Sequence, residues 1–195
     1  MNSITTDFSK IANFFKTEYP LNQHGLDELF ASLEVEHHKK GTILISTNKK
    51  EEKLRFLNHG IVREFYTKDS QEKNINFYIK PQFISDLLAF IHETPTHKNQ
   101  ECLTDIEILS IKKLPLFELL EKYQCGKSYI ESSFQKLLKQ KELFEYNRIT
   151  KSPETLYQEL FIYKPDWLQH IPQYHIASYL DITPETLSRI RKRIY

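Results

Sequence analysis

The stretch ASYLDITPETLSRIRKRIY, residues 177–195, is the part of the chain whose pattern specifies most about the fold. Thr183 is a favourable N-cap residue, Pro184 follows at the first helical position, and Glu185 suits the positive end of the helix dipole. An apolar stripe continues at helical spacing through Leu187, Ile190 and Ile194. The pattern therefore predicts an amphipathic helix that begins after Thr183 and docks through this stripe.

A second short helix is predicted just before that one, with Ile176, Ala177 and Leu180 on one face. Asp181 and Ile182 form the turn between the two helices. Two short helices joined by a tight turn form a helix-turn-helix unit, whose second helix enters the major groove of DNA. The alternative is an amphipathic helix with a solvated charged face. The joint spacing of the small residue, the turn and the apolar stripe favours DNA binding.

The polar face of the second helix carries residue types that can recognise DNA. Arg189 lies one turn after Glu185, so the two side chains are neighbours. An arginine can donate two hydrogen bonds to guanine, and a glutamate can accept one from cytosine. Lys192 and Arg193 lie further from the helix N-terminus, where cations contact phosphates. We therefore assign base reading to Glu185 and Arg189, and phosphate contacts to the two later cations.

Composition and charge narrow the range of functions. Of the 195 residues, 39% are hydrophobic and 27% are charged, which is typical of a soluble globular protein. The net charge of +1 predicts no general attraction to nucleic acid, so a DNA site has to be local. Cys102 and Cys125 are too few for a disulfide scaffold or a four-thiolate cluster. With no secretory pattern and no run of membrane-spanning length, we expect a cytoplasmic location.

Upstream, the periodicity changes from helical to strand-like. Apolar residues between Phe8 and Leu33 predict two short helices separated at Pro20. Four later stretches alternate and are rich in β-branched and aromatic residues: TILIS (42–46), LRFLNHGIVREFYT (54–67), NINFYI (74–79) and IEILSI (106–111). STNKKEEK (46–53) and KDSQEK (68–73) have the spacing of hairpin loops. The pattern predicts an antiparallel barrel or sandwich.

A long helix is predicted from Gly126 to Thr150, after helical periodicity returns beyond Pro115. Its apolar residues can form one heptad seam, which consists of Ile130, Phe134, Leu137 and Phe144. The seam is interpreted either as core packing or as a dimer contact. KSPE, residues 151–154, opens a last helical region that contains the helix-turn-helix.

Together these elements resemble the Crp/Fnr superfamily of bacterial transcription regulators over nearly the whole chain. PETLSRI, residues 184–190, is similar to the recognition-helix signature of that family, Arg-Glu-Thr-x-x-Arg. KKGTILISTNKKEEKLRFLNHGIVREFY, residues 39–66, resembles the opening of the family's barrel, with a characteristic glycine at Gly60. The chain departs from the signature at Pro184, which replaces its first arginine. It departs again at Asp181, which stands where the turn usually has glycine but tolerates a left-handed conformation.

The resemblance implies an α+β fold in three parts. These are N-terminal helices with an antiparallel, cyclic-nucleotide-binding-like barrel (a double-stranded β-helix) at residues 1–115, a connecting dimerisation helix at 116–150, and a winged helix-turn-helix at 151–195. It also implies that Glu185 and Arg189 contact bases. Backbone and phosphate contacts then fall to Thr183, Thr186 and Ser188, beside Lys192 and Arg193.

The segment that matches the family's phosphate-binding cassette lacks the groups that hold a cyclic phosphate. Ser85 and Asp86 stand in place of a Gly-Glu pair, and no arginine occurs between Arg63 and Arg148. His97 or Lys98 could contact an anion in an effector pocket, but neither offers the bidentate fork of a guanidinium. We therefore do not expect cyclic AMP as the effector. Another small-molecule effector and a barrel without any ligand both stay open.

No cofactor or metal site is predicted. His37 and His38 are adjacent, so on a strand they point to opposite faces and cannot chelate one ion there. Haem ligation by a histidine stays open. The chain has no His-x-His pair as in a cupin-like enzyme, no Gly-x-Ser-x-Gly, and only four glycines, too few for a phosphate-binding loop. We therefore expect no enzymatic activity.

The sequence thus predicts a dimeric transcription regulator that binds palindromic double-stranded DNA. The expected partners are duplex DNA, a second copy of the chain, RNA polymerase and an unidentified small-molecule effector, with no membrane. The alternative is a ligand-binding or protein-interaction module on the same barrel, whose terminal helices pack but bind no DNA.

Overall fold

The computed structural model describes residues 6–18, 21–124 and 126–194, without the side chains of residues 17, 18 and 126–130. The elements before the long helix are, in order, α1 (Ser9–Glu18), α2 (Gln23–Ser32), β1 (Glu34–His38), β2 (Ile43–Ile45), β3 (Lys53–His59), β4 (Val62–Lys68), β5 (Gln71–Tyr78), β6 (Gln82–Phe83), α3 (Leu87–His92), β7 (Asn99–Cys102), β8 (Ile106–Lys112) and α4 (Lys113–Lys122). The remaining helices are α5 (Gly126–Thr150), α6 (Pro153–Tyr163), α7 (Pro165–His170), α8 (Gln173–Tyr179) and α9 (Pro184–Ile194).

The strands form two four-stranded antiparallel sheets, in the orders β1-β8-β3-β6 and β2-β7-β4-β5. Apolar side chains from both sheets pack together in the barrel interior: Leu57, Val62, Tyr78, Ile84, Cys102, Ile106 and Ile108. This arrangement confirms the predicted α+β fold with an antiparallel barrel. The two N-terminal helices and the long helix are also present as predicted.

One of the two predicted hairpin loops is correct. β4 and β5 pair with each other and are joined by Asp69 and Ser70, whose φ angles of 49° and 64° suit a tight two-residue turn. The segment STNKKEEK instead connects β2 to β3, and these strands lie in different sheets. The prediction of a hairpin there is therefore wrong, because alternation identifies strands but not their partners.

The chain crosses between the sheets again at Gly60, which lies between β3 and β4. The φ of Gly60 is 99°, a conformation that side chains rarely adopt. A Cβ atom there would lie 2.6 Å from the carbonyl oxygen of Asp105 and 2.6 Å from Cγ2 of Ile106. The close approach explains why the barrel needs glycine at this crossing.

Helices cover the outer face of the β1-β8-β3-β6 sheet, so β3 is buried on both sides. Leu54 and Phe56 pack into a core formed with α1, α2 and α4, whose members include Ile11, Phe15, Leu26, Leu29, Leu116 and Leu120. Arg55, between them, points the other way and contacts Gln100 of the facing sheet. The barrel interior therefore receives the polar residue of this strand.

The C-terminal helices form a separate core around Trp167, together with Tyr157, Leu160, Ile171, Ile176, Ala177, Leu180, Leu187 and Ile190. Phe77 of β5 belongs to the same core, so the helical part packs directly on the barrel. Ser152 caps α6 by accepting a hydrogen bond from the Thr155 N–H at 3.1 Å. From Pro153 to Ile194 the structure contains helices and no strand, so these residues do not form the implied wing.

Candidate nucleic-acid interface

The α8–turn–α9 unit has the local geometry that the sequence predicts. Asp181 adopts the left-handed conformation, with φ of 59°. The Thr183 hydroxyl accepts a hydrogen bond from the Thr186 N–H at 3.2 Å and caps α9. The Ile182 N–H donates to the Ala177 carbonyl at 3.0 Å, and Ala177 is fully buried where the two helices meet. The predicted turn and N-cap are confirmed.

Helix α9 divides into a buried side and an exposed side. Leu187 and Ile190 are buried in the C-terminal core, and Ile194 packs against its margin. The opposite face holds most of the predicted DNA-contacting residues, and Glu185, Ser188, Arg189, Lys192 and Arg193 are all exposed. Thr183 is exposed and Thr186 is half-buried at the start of the helix. The structure therefore brings the predicted base-reading and phosphate-contacting residues together on one surface.

Hydrogen bonds at the start of α9 organise this surface. Arg189 Nη2 donates to Thr186 Oγ1 at 3.2 Å, and Thr186 Oγ1 lies 3.2 Å from the Thr183 hydroxyl. Glu185 has a lowered pKa because its own backbone N–H and the Thr183 hydroxyl donate to the carboxylate, with a further contribution from Arg189. Glu185 is thus ionised near neutral pH and can accept hydrogen bonds. Arg193 forms an exposed ion pair of 3.3 Å with Glu154 of α6.

The four residues predicted to line an effector pocket lie in three different places in the structure. The Ser85 hydroxyl accepts from the Arg55 N–H and donates to the Lys53 carbonyl, both at 2.8 Å, so it joins the segment after β6 to the backbone of β3. Asp86 and Lys98 lie close together, with 3.8 Å between carboxylate oxygen and ammonium nitrogen. His97 is exposed. Only Asp86 and Lys98 therefore share a site.

That site is a polar network inside the barrel. Asp86 accepts a hydrogen bond from Thr96 at 2.7 Å, while Lys98 Nζ lies 3.5 Å from Glu64. Glu64 also accepts from the Tyr78 hydroxyl at 3.0 Å. Burial lowers the pKa of Lys98, but Glu64 and Asp86 outweigh this and the net shift is upward. Lys98 is accordingly a cation already engaged by two carboxylates of its own chain.

Two arginines of the barrel were missed by the sequence analysis. Arg55 contacts the buried Glu51 at 2.5 Å, and burial raises the pKa of Glu51 to about 7 although Arg55 opposes the shift. Arg63 pairs with Glu101 and, at 2.6 Å, with Glu72. The sequence carries no local signal for Arg55, because the pattern LRFL does not show that helices cover the face of Leu54 and Phe56. Both guanidinium groups are thus paired with glutamate side chains of the same chain.

The predicted seam on α5 is turned partly toward its own chain. The Phe134 ring lies 6.5 Å from the His92 ring, and the Phe144 ring lies 6.2 Å from the Tyr179 ring, measured between centroids. Leu137 is half-buried. The side chain of Ile130 lies outside the described residues. A neighbouring stripe is far more exposed, at 63% for Leu138, 57% for Tyr146 and 76% for Ile149.

The order of a two-sheet barrel, a long helix and a terminal helix-turn-helix is the one that the resemblance to the Crp/Fnr superfamily implies. Residues 35–123 match the family described as the cyclic nucleotide-binding domain. This segment therefore resembles a cyclic nucleotide-binding domain, and the wider fold resembles several solved structures of Crp/Fnr-family transcription regulators. The resemblance stated from the sequence is confirmed at this level.

Three solved structures illustrate the likeness. The catabolite activator protein of Thermus thermophilus has 15% identity and a TM-score of 0.59, over 90% of this chain and 84% of that chain. A CooA mutant from Carboxydothermus hydrogenoformans has 14% identity and a TM-score of 0.67, over 85% and 78%. The c-di-GMP responsive regulator CLP of Xanthomonas campestris has 13% identity and a TM-score of 0.68, over 89% and 91%. At these identities the likeness concerns the fold alone.

No curated protein matches the sequence significantly. Among the helices of the described ranges, none combines the length and apolar character needed to cross a membrane.

Proposed function

We propose that this chain is a transcription regulator that binds double-stranded DNA with α9 in the major groove. The observation that carries the proposal is the division of α9, whose Leu187 and Ile190 are buried while Glu185 and Arg189 are exposed beside each other. A helix that only packed against the protein would need the buried stripe but no organised polar face. The capped helix start presents that face with its N-terminal end free, as major-groove recognition requires.

Within this proposal, Arg189 reads guanine and Glu185 accepts from a cytosine amino group. The Thr186 hydroxyl holds the Arg189 guanidinium toward the N-terminal end of α9 before DNA arrives. Lys192 and Arg193 contact phosphates, as do Thr183, Thr186 and Ser188 near the helix start. To reach a phosphate, Arg193 exchanges its exposed pair with Glu154, which costs little because such pairs contribute little in water.

The regulator acts as a dimer joined through α5, so that two copies of α9 read two halves of a palindrome. The exposed stripe of Leu138, Tyr146 and Ile149 supports this assignment, since a second copy would cover it. The half-buried Phe134, Leu137 and Phe144 would then line the edge of that contact. RNA polymerase stays a partner predicted from the resemblance alone.

Cyclic AMP is not the effector in this proposal. A cyclic phosphate needs a positive, donor-rich cradle, but Lys98 is engaged by Glu64 and Asp86, and Arg55 by Glu51. A phosphate entering here would meet those carboxylates. A different effector, or none, is consistent with the barrel.

The experiment is selection of bound sequences from random duplex DNA, followed by titration of consensus and scrambled duplexes at several salt concentrations. Arg189→Ala should cost roughly 1–3 kcal/mol on the consensus and relax one position in each half-site. Lys192→Ala is the matched control, and it should weaken both duplexes alike and reduce the salt slope by about one. If the selection enriches no sequence and the protein binds no duplex DNA in the titrations, the alternative function, a module that binds no DNA, explains the result better.

A further inference from the structure

Helix α8 is joined to strand β5 by hydrogen bonds that bridge more than 100 residues of sequence. The Ser178 hydroxyl accepts from the Asn74 N–H at 3.1 Å and donates to the Glu72 carbonyl at 2.9 Å. The Asn74 amide donates toward His175 Nδ1 and the His175 carbonyl oxygen, each at 3.2 Å. Asn74 is fully buried, and His175 is buried as well. These bonds fix α8 against one specific part of the barrel.

The turn of the helix-turn-helix is held on the same side by charge. The carboxylate of Asp181 pairs with Lys73 of β5, and its other oxygen lies 3.1 Å from Arg148 near the end of α5. Hydrogen bonding from Lys73 lowers the pKa of Asp181, although burial partly opposes this. One carboxylate in the turn is thus tied to both the barrel and the long helix.

Aromatic packing completes the contact. Phe77 of β5 meets Trp167 edge-to-face at 4.9 Å between ring centroids, and Tyr179 of α8 lies 6.2 Å from Phe77. Trp167 is the single tryptophan of the chain and is only 4% exposed. We call the residues Glu72, Lys73, Asn74, His175, Ser178 and Asp181 the clamp.

The clamp leaves the DNA-facing side of α9 free. Its members lie on β5, on α8 and in the turn, whereas Glu185 and Arg189 point away from the core and are exposed. The contact is therefore compatible with DNA binding. The clamp restricts the position of α9 relative to α5, because Asp181 contacts Arg148.

We propose that the clamp positions the two recognition helices of a dimer and so determines which spacing of DNA half-sites the protein accepts. The inference rests on the proposed function. Half-sites read by a two-fold dimer lie about one helical turn, or 34–36 Å, apart, so a rigid protein accepts one spacing. Without the clamp, only the aromatic packing on Phe77 and the short link after Thr150 would hold the helical part, so its orientation would vary more and the second recognition helix would have a lower effective concentration at its half-site. The clamp residues are positioning residues, which touch no DNA.

The test uses the double variant Ser178→Ala/Asp181→Asn in the full chain. The alanine removes the hydroxyl shared by Glu72 and Asn74, and the asparagine removes the charge but tolerates the left-handed backbone. Asp105→Asn is the matched control, because Asp105 forms an exposed 2.7 Å pair with Lys39 within the barrel. Binding is titrated on the selected palindrome, on palindromes lengthened or shortened by one and two base pairs, and on a single half-site.

We expect the double variant to lose roughly tenfold affinity on the preferred spacing, a part of the 10²–10⁴ that linking two modules can contribute. Its affinity for altered spacings and for the single half-site should change little, so that the spacing profile flattens. Asp105→Asn should keep the wild-type profile. An unchanged profile in the double variant would overturn the inference. An equal loss on the single half-site would also overturn it, since Ser178 or Asp181 would then contact DNA.

A second readout separates this inference from the proposed function. Without DNA, opening of the clamp should make Trp167 more accessible to acrylamide quenching in the double variant than in the wild type or in Asp105→Asn. If the wild type binds no DNA, the proposed function fails while the quenching still reports on the clamp. Equal quenching in all three proteins would show that these contacts do not hold the helical part, and the positioning role would be lost.

Discussion

Gly60→Ala should destabilise the protein much more than Gly41→Ala, although both glycines have positive φ. At Gly60, with φ of 99°, a Cβ atom would lie 2.6 Å from the Asp105 carbonyl oxygen and 3.0 Å from the Cα atom of Ile106. Gly41, with φ of 83°, has nothing within 4 Å of the corresponding position. The two substitutions therefore share the backbone strain and differ in the steric clash.

The expected magnitudes follow from these two terms. A non-glycine residue in the left-handed region costs roughly 1–2 kcal/mol, and the reduced freedom of the unfolded chain returns about 0.4–1 kcal/mol. Overpacking against a fixed backbone adds about 1–3 kcal/mol, and only at Gly60. Gly41→Ala should thus cost about 1 kcal/mol and Gly60→Ala about 2–4 kcal/mol.

The assay is urea unfolding followed by far-ultraviolet circular dichroism, with free energies of unfolding from linear extrapolation. Gly41→Ala is the control, because unfolded-state effects are common to both variants and cancel in the difference. A Gly60→Ala protein that is insoluble while Gly41→Ala is soluble would agree with the argument. Equal stability of the two variants would refute the close approach at the strand crossing.

Three further predictions concern assembly, effector and pH. If α5 joins the dimer through its exposed stripe, the wild type should sediment as a dimer and Leu138→Glu as a folded monomer, since a charge in an apolar contact costs several kcal/mol. Leu137→Glu tests the sequence-predicted seam in the same way. A wild type that sediments as a monomer at tens of micromolar would contradict the proposed dimer. Titration calorimetry with millimolar cyclic AMP or cyclic GMP should give no heat of binding, and saturable micromolar binding of either would contradict the engaged state of Lys98. Burial lowers the pKa of His175 to about 4, with Arg63 adding to the shift and Glu72 opposing it. Because the pKa of His175 is 6.5 in the unfolded chain, burial of the neutral ring contributes fully to folding stability above pH 6.5, and this contribution is lost as the pH falls to 4. Acrylamide quenching of Trp167 should therefore rise as the pH falls through this interval. A flat response, or the same response in His175→Gln, would contradict the role of His175.

The helix-turn-helix could be predicted because local interactions determine it. The cap of α9 joins Thr183 to Thr186, and the turn requires only that Asp181 tolerate positive φ. The spacing of Leu187 and Ile190 then follows from the helix itself. Strand pairing is not determined by local interactions, because the paired strands are distant in sequence. The segment STNKKEEK looks like a hairpin loop, yet β2 pairs with β7 and β3 with β8.

The polar part of the site was less predictable, because its partners are distant in sequence. Asn74 and His175 are 101 residues apart, so no local pattern joins them. Arg55 was missed for a different reason. Alternation with Leu54 and Phe56 suggests that the apolar pair faces the barrel interior, but helices cover the outer face and accept both. Periodicity separates the two faces of a strand, but when both faces are buried it does not show which one faces the barrel interior and which one the covering helices.

The position of β5 at the edge of its sheet has a consequence for the stability of the barrel against association. An outer strand presents free backbone groups that another chain can pair with. Here the Glu72 carbonyl and the Asn74 N–H are both satisfied by one serine hydroxyl from α8, which cannot extend the sheet. The C-terminal helices therefore also protect the edge strand β5 from pairing with another chain. A barrel made without residues 151–195 would leave that edge bare, and it should form oligomers by strand-to-strand addition as its concentration rises.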